Sequence, residues 1–310
     1  MGIDRPDDAN VPSDNPADRT PAAGNVGGAQ AETRYREEYY SARTQVAHEE
    51  RTQNRQQATQ ADTWTKTANL AHWMWGEYQR RWPPEDRPPA DRSTDPPGSW
   101  RSDSNGFLDS SANARIEAEC DRIVEREQEK ISPAMRDTEH QDPTRHLVGF
   151  DHRLKDRDRI KEKIYGMIQE SGFSAEEAVS CVPDAIRYTF QYDEAHYTRS
   201  VRADIARMKE QGFKLDALKN SWSDDQYKGI NSQWTESDTS QRFEMQFHTH
   251  ISFEAKQLTH ASYERLRAGQ PDKFEQMVLE AFQKKVSAEV PIPPGAADIA
   301  EFPERDEDAR

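Results

Sequence analysis

The sequence predicts an α+β fold in which a mixed β-sheet is flanked by helices, preceded by a largely disordered or helical N-terminal region. Three observations predict it. Phe243, Met245 and Phe247 alternate strictly with Glu244, Gln246 and His248, the period of a strand with one buried face. Between residues 157 and 287 such strands interleave with apolar stripes of helical period. Glycines punctuate them, with Gly172 as a C-terminal cap and Gly212 at the end of a second helix.

Residues 1–30 are rich in Pro, Asp, Asn, Gly and Ala, bury almost nothing, and are expected to be disordered. Residues 31–82 contain no Pro and no Gly before Gly76, a helix-permissive composition. Trp64, Ala68, Ala71, Trp75, Tyr78 and Trp82 there are spaced by alternating fours and threes, an aromatic helical stripe. It is expected to pack on the chain's own domain. Docking to another protein is the alternative, since large aromatics anchor interfaces, and a membrane-surface role is disfavoured by the lack of a long basic face. Residues 83–110 carry Pro83-Pro84, Pro88-Pro89 and Pro96-Pro97 and read as a stiff, extended linker.

The folded domain is expected over 111–287. Ile116, Cys120, Ile123 and Val124 form a helical stripe that can reach Ile131 before Pro133, and a loop follows to about 146. Arg157 to Ser171 is a helix with Ile160, Ile164, Met167 and Ile168 buried; Ala185 to Tyr192 is a strand with Ile186, Tyr188 and Phe190 on one side. Val201, Ile205 and Met208 mark a helix, followed by strands over Phe213–Leu218, Tyr227–Trp234 and Arg242–Thr249. Two helices, Phe253 to about Arg267 and Asp272 to about Ser287, complete the domain. Residues 288–310, with Pro291, Pro293, Pro294 and the acidic stretch Glu301 to Asp308, read as an acidic tail.

Composition narrows the function classes. Only 33% of the 310 residues are hydrophobic and the mean hydropathy is −1.12, which fits one domain plus polar segments. A net charge of −15 disfavours a nucleic-acid coat but leaves room for a small basic pocket. Cys120 and Cys181, the only cysteines, are too few for a disulfide framework or a cysteine metal site and fit a reducing compartment. No apolar run approaches the roughly 20 residues of a membrane span, and Met-Gly-Ile-Asp-Arg-Pro-Asp-Asp lacks the regions of a signal peptide. The expectation is a protein working in the cytoplasm, or delivered to a target-cell cytoplasm by a route needing no such peptide.

Four segments carry candidate chemistry. Arg153-Leu154-Lys155, with Lys163 on the following helix, can grip phosphate oxygens, or can be a solvated charged loop. Asp184, before the strand that holds Arg187, suits a Mg²⁺ ligand, because that ion takes one or two carboxylates plus substrate phosphates; its other reading is a turn residue after Pro183. Tyr227-Lys228-Gly229-Ile230-Asn231 offers an aromatic beside a glycine gap, a stacking platform for a base or simply a packed Tyr at a bulge. Glu244, Gln246 and His248 share one strand face, which is either solvent-exposed or a site. There Glu244 can complete a metal site with Asp184 or accept a proton from an attacking hydroxyl.

In this order the segments resemble the synthetase domain of the RelA/SpoT family, with its Arg-x-Lys, a strand with Asp and Arg, Tyr-(Arg/Lys)-Ser-(Ile/Leu)-His and Glu-x-Gln-(Ile/Leu)-Arg-Thr. Arg153, Lys155, Ile160 and Lys163 match the first block without a gap, and Ile131 to Arg136 is similar to the family's lead-in. The resemblance covers about residues 111–268. It implies a nucleotidyltransferase-like sheet and transfer of pyrophosphate from ATP to the ribose 3′-hydroxyl of GDP or GTP, giving alarmones. By the same resemblance Arg153, Lys155, Lys163 and Arg187 hold ATP phosphates, and Asp184 and Glu244 hold Mg²⁺ and activate the hydroxyl. Tyr227, Lys228, Asn231, Gln246 and His248 line the acceptor. The departures fall mostly on the acceptor side. Asp-x-x-Gly-x-Arg is shortened to Asp184-Ala185-Ile186-Arg187, Ser becomes Gly229, His becomes Asn231, and the arginine of the last block becomes His248. The acceptor is therefore a guanosine nucleotide by resemblance, with an adenosine nucleotide or the 3′ end of tRNA as alternatives, as in toxin relatives. The competing functional reading is an inactive nucleotide-binding or scaffold protein acting through the Trp-rich helix.

Overall fold

The computed structural model describes residues 26–84, 90–103, 106–180, 182, 184–269 and 271–303. The chain divides into two units, residues 1–63 and 64–310. The expected disorder of residues 1–25 lies outside the described residues, while Val26–Arg81 is a helix, α1. The site lies in the second unit.

Five strands form one mixed sheet: β3 (Arg145–Val148), β4 (Arg187–Tyr192), β5 (Phe213–Asn220), β6 (Ile230–Glu236) and β7 (Arg242–Thr249), in the order β3-β4-β7-β6-β5. Only β4 and β7 run parallel. The expected α+β class, a mixed sheet flanked by helices, is what the chain adopts.

Because β7 is central, helices cover both of its faces. α6 (Tyr197–Glu210) lies on the face of Phe243, Met245 and Phe247, with the Tyr197 hydroxyl donating to the Phe247 carbonyl at 2.9 Å. α7 (His250–Arg267) covers the other, where Gln246 and His248 are buried. The alternation therefore sorts apolar from polar between two covered faces, and solvent exposure of the polar one is ruled out.

Local chemistry sets the element ends. α4 (Arg157–Ser171) starts at Asp156, whose carboxylate accepts from the Asp158 and Arg159 N–H groups, and ends at Gly172 with φ 68°. α7 begins with a reciprocal Thr249–Ser252 capping box, and α8 (Lys273–Ala288) is capped by Asp272.

Four segments differ from the sequence expectation. Pro133 does not end a helix. α2 (Ser110–Arg126) passes through a π turn, Glu127–Ile131, into α3 (Ser132–His140), whose first turn accommodates a residue lacking N–H. β6 starts at Ile230 and not Tyr227, because Gly229 accepts the Ser221 N–H at 2.9 Å and closes a loop that holds Tyr227. Within 83–110, two-residue strands β1 (Trp100–Arg101) and β2 (Phe107–Leu108) pair, and buried Trp100 donates to Asp158 at 2.8 Å; one aromatic anchors the segment where Pro content suggests extension. Beyond 287, Val290, Ala296 and Ile299 are buried, and Phe302 exchanges backbone hydrogen bonds of 2.7 and 3.0 Å with Leu218. The acidic residues after Pro303 lie outside the described residues.

The stripe from Trp64 to Trp82 packs on α7 and α8. The Trp64 indole donates to Glu254, and Tyr78 donates to Glu275 at 2.8 Å. Trp75 stacks on Tyr78 and meets Phe282. The face that the docking reading needs is thus already covered, and among the described residues the large apolar side chains left outside on this helix are Leu70 and Trp73. No helix of the described residues is long and apolar enough to cross a membrane.

A buried ion pair fixes α6 to the sheet edge: Arg145 of β3 donates to Asp204, which also accepts from Tyr192 at 2.8 Å and Arg207 at 2.8 Å. Arg145 and Asp204 are almost fully excluded from solvent. Asp204→Ala leaves the guanidinium without its carboxylate and is expected to cost about 3–5 kcal/mol of stability, read from urea unfolding. Arg145→Met combined with Asp204→Ala should cost clearly less than the sum of the single changes.

Candidate active site

Asp184 sits in the turn before β4, and three cations converge on it. Lys155 Nζ lies 2.6 Å from one carboxylate oxygen, Lys163 Nζ 2.7 Å from the other, and Arg187 Nη2 3.4 Å from the first. The backbone sets this up. Lys155 N–H donates to Ala185 O at 2.9 Å and Arg187 N–H to Arg153 O at 2.7 Å, which pins the Arg-x-Lys segment beside the strand. Lys163 comes from the second turn of α4. Burial raises the Asp184 pKa, but the hydrogen bonds and charges of Lys155 and Lys163 outweigh it and hold the carboxyl well below the usual range. Asp184 is thus held as an anion, and its hydrogen bonds go to side-chain cations. Pro183, on which the turn reading leaned, lies outside the described residues.

The parallel register places Arg187 opposite Glu244. Arg187 Nε lies 3.2 Å from one Glu244 oxygen and its Nη2 3.3 Å from the other, so one guanidinium spans both candidate metal-binding carboxylates. Glu244 accepts from the Gln246 amide, and the Gln246 oxygen accepts from Lys256 Nζ at 2.5 Å. Lys256 escaped the sequence reading because a lysine in a helix is ordinarily solvated. The signal was its place next to Ser252, Ala255 and Thr259, the face of α7 turned to the sheet.

Tyr227, Asn231 and His248, which the resemblance assigns to the acceptor, form an adjoining group. Tyr227 Oη lies 2.9 Å from Asn231 Oδ1 and 2.9 Å from His248 Nε2, while His248 Nδ1 lies 2.9 Å from Ser252 Oγ. A phenol has one proton for these two neighbours, so when it donates to Asn231 the imidazole Nε2–H donates to the phenol oxygen. The Tyr227 ring meets the imidazole edge-on. Burial, reinforced by the charge of Lys256, pushes the His248 pKa well below its ordinary 6.5 and keeps the ring neutral. Gly229, at φ 149°, lies directly against this ring: a Cβ there would stand 2.6 Å from His248 Cε1. The two departures from the family pattern, Gly229 and His248, are thus sterically coupled.

Two expected site residues point elsewhere. Arg153 donates at 2.7 and 3.2 Å to Glu127, a fully buried carboxylate that also accepts from Ser132 and Tyr188, and its guanidinium lies 4.2 Å over the Phe150 ring. It stands apart from the Asp184 group. Lys228 folds back onto its own loop, donating to the carbonyls of Trp222 and Asp224. A cleft of about 760 Å³, lined by Trp75, Tyr78, Trp82 and Arg265 among others, contains none of these site residues.

Among the described residues no three His, Cys, Asp or Glu side chains group to hold a metal. A Mg²⁺ ion here would use Asp184 and Glu244 with phosphate and water oxygens, the donor set that this ion prefers. The two carboxylates sharing Arg187 fit that role.

No family model matches the chain, and no curated protein does. Among solved structures it is similar to a GTP pyrophosphokinase family protein from Streptococcus pneumoniae, at 15% identity and a TM-score of 0.42, covering 56% of this chain and 90% of that one. It is also similar to small alarmone synthetase 1 from Bacillus subtilis (13%, 0.39, 56% and 90%) and small alarmone synthetase 2 from the same organism (10%, 0.39, 56% and 93%). With TM-scores below 0.5, these likenesses carry no argument about what this chain does.

Gly229→Ala should displace the His248 ring and lower stability by about 1–3 kcal/mol, read from thermal unfolding. His248 also sets a pH dependence. Below about pH 6.5 the unfolded chain protonates this histidine while the folded one does not, so stability falls with pH by up to about 1.4 kcal/mol per unit for this group. His248→Gln should reduce the slope of unfolding free energy against pH between about 6.5 and 5 by up to that amount. An unchanged slope would contradict a buried, neutral imidazole.

Proposed function

We propose that this site transfers pyrophosphate from ATP to a ribose hydroxyl of a nucleotide acceptor, as in the RelA/SpoT synthetases that the motifs resemble. The observation that carries the reading is convergence. Lys155, Lys163, Asp184, Arg187 and Glu244 come from three separate stretches of chain and meet in one ion network. Next to it, on the same strand, lie Gln246 and His248 with Tyr227 and Asn231.

Phosphoryl-group transfer depends mainly on positioning and charge neutralisation. Asp184 and Glu244 would hold Mg²⁺, which when bound neutralises charge on the phosphates. Lys155, Lys163 and Arg187 would turn to ATP oxygens, and Arg153 would join them on exchanging Glu127 for phosphate. Glu244 is placed to accept the proton of the acceptor hydroxyl. The acceptor we put first is GDP or GTP, following the resemblance. An adenosine nucleotide or the tRNA 3′ end is the alternative, because Gly229, Asn231 and His248 depart from the pattern on that side. The setting we infer is the cytoplasm of the producing cell or, for an effector, of a target cell. The scaffold reading is weakened by the burial of the aromatic stripe against α7 and α8.

Asp184→Asn and Glu244→Gln should each lower pyrophosphate transfer at least about 100-fold, while the circular dichroism spectrum remains that of the folded chain even where the unfolding midpoint falls. Undiminished transfer by either variant would refute the assignment.

A further inference from the structure

Lys256 is the one cation of this network bonded to a neutral group. Lys155, Lys163 and Arg187 each sit on a carboxylate, whereas the hydrogen bond of Lys256 goes to the Gln246 amide oxygen, and the ion pairs of the described residues include none to Lys256. Its ammonium also lies 5.4 Å over the Phe253 ring. It reaches the polar face of β7 from α7, between Glu244 on one side and the His248–Tyr227 group on the other. Since the imidazole there is neutral, Lys256 is the source of positive charge at that end of the face.

We infer that Lys256 is an anion-binding residue of the acceptor side, its ammonium taking a phosphate group of a mononucleotide acceptor and releasing Gln246. This rests on the pyrophosphokinase reading for the identity of the ligand. Burial, then the charge of Arg187, brings the Lys256 pKa down to about 8, against the pull of Glu244, so its charged form is under-solvated where it sits. A phosphate supplies the counter-charge that the chain itself withholds. Gln246 then turns its carboxamide to the acceptor while still meeting Glu244. The residue makes recognition depend on the 5′-phosphate as well as on the base.

The test is isothermal titration calorimetry of the full chain with a non-hydrolysable ATP analogue saturating the donor side. GDP is compared with guanosine and AMP with adenosine, for the wild type, Lys256→Met and Lys256→Arg. One nucleotide should bind the wild type at least tenfold more tightly than its nucleoside; Lys256→Met should lose about 10- to 100-fold of that preference and Lys256→Arg should keep most of it. Equal binding by wild type and Lys256→Met, or no preference for nucleotide over nucleoside in the wild type, overturns the assignment. Turnover is read separately. Pyrophosphate transfer with an acceptor KM unchanged by Lys256→Met removes Lys256 and leaves the reaction standing. Lys256-dependent nucleotide binding without transfer removes the reaction and leaves the anion site.

Discussion

Parallel pairing of β4 with β7 sets Arg187 beside Glu244, and the guanidinium then spans that carboxylate and Asp184, which comes from the turn before β4. Asp184 and Glu244 thus share one cation, which offsets the repulsion between like charges. Arg187 lies between; Lys155 and Lys163 close the far side of Asp184. Each element has its place because of this balance. The Arg-x-Lys segment is tied by backbone hydrogen bonds to the start of β4, and α4 is turned so that Lys163 reaches the same carboxylate as Lys155. The hydrogen bonds and charges of Lys155 and Lys163 hold Asp184 ionised.

The neighbouring group around His248 follows a different rule. There the polar groups are neutral and satisfied by one another: phenol, carboxamide, imidazole and hydroxyl form one chain from Asn231 to Ser252. Such a network is rigid when complete, and each member is costly to remove. The imidazole fits only because residue 229 has no side chain, and the glycine's backbone angle is one that other residues adopt only under strain. The changes at 229 and 248 therefore read as a single alteration of shape.

Much of this was legible in the sequence, for physical reasons that also explain what was not. The bounds of α4 and β7 follow from a glycine cap, from a capping threonine and from strict alternation, all local signals. Motif order singled out Lys155, Lys163, Asp184, Arg187 and Glu244, and the fold brings these five together in one ion network. What alternation cannot state is whether a polar face meets water or a helix, and so the burial of Gln246 and His248 needed the sheet order. The ion pair of Arg153 with Glu127, 26 residues earlier in a π turn, is one that nothing in the sequence announces. Lys256 was missed for the opposite reason: the helix itself was expected, but its rotation about the strand was not. Buried Trp100, and Val290, Ala296 and Ile299 beyond α8, show how a few apolar residues tether segments whose average composition reads as linker or tail.

The central claim is a reaction, and its signature is stoichiometric. Purified protein would be incubated with γ-labelled ATP, Mg²⁺ and, separately, GDP, GTP, AMP, ADP and bulk tRNA, with AMP and labelled acceptor quantified together. The account predicts that label moves to one acceptor class with one AMP released for each acceptor labelled. No labelled acceptor under conditions where a competent synthetase labels its own, or release of pyrophosphate in place of AMP, would contradict it.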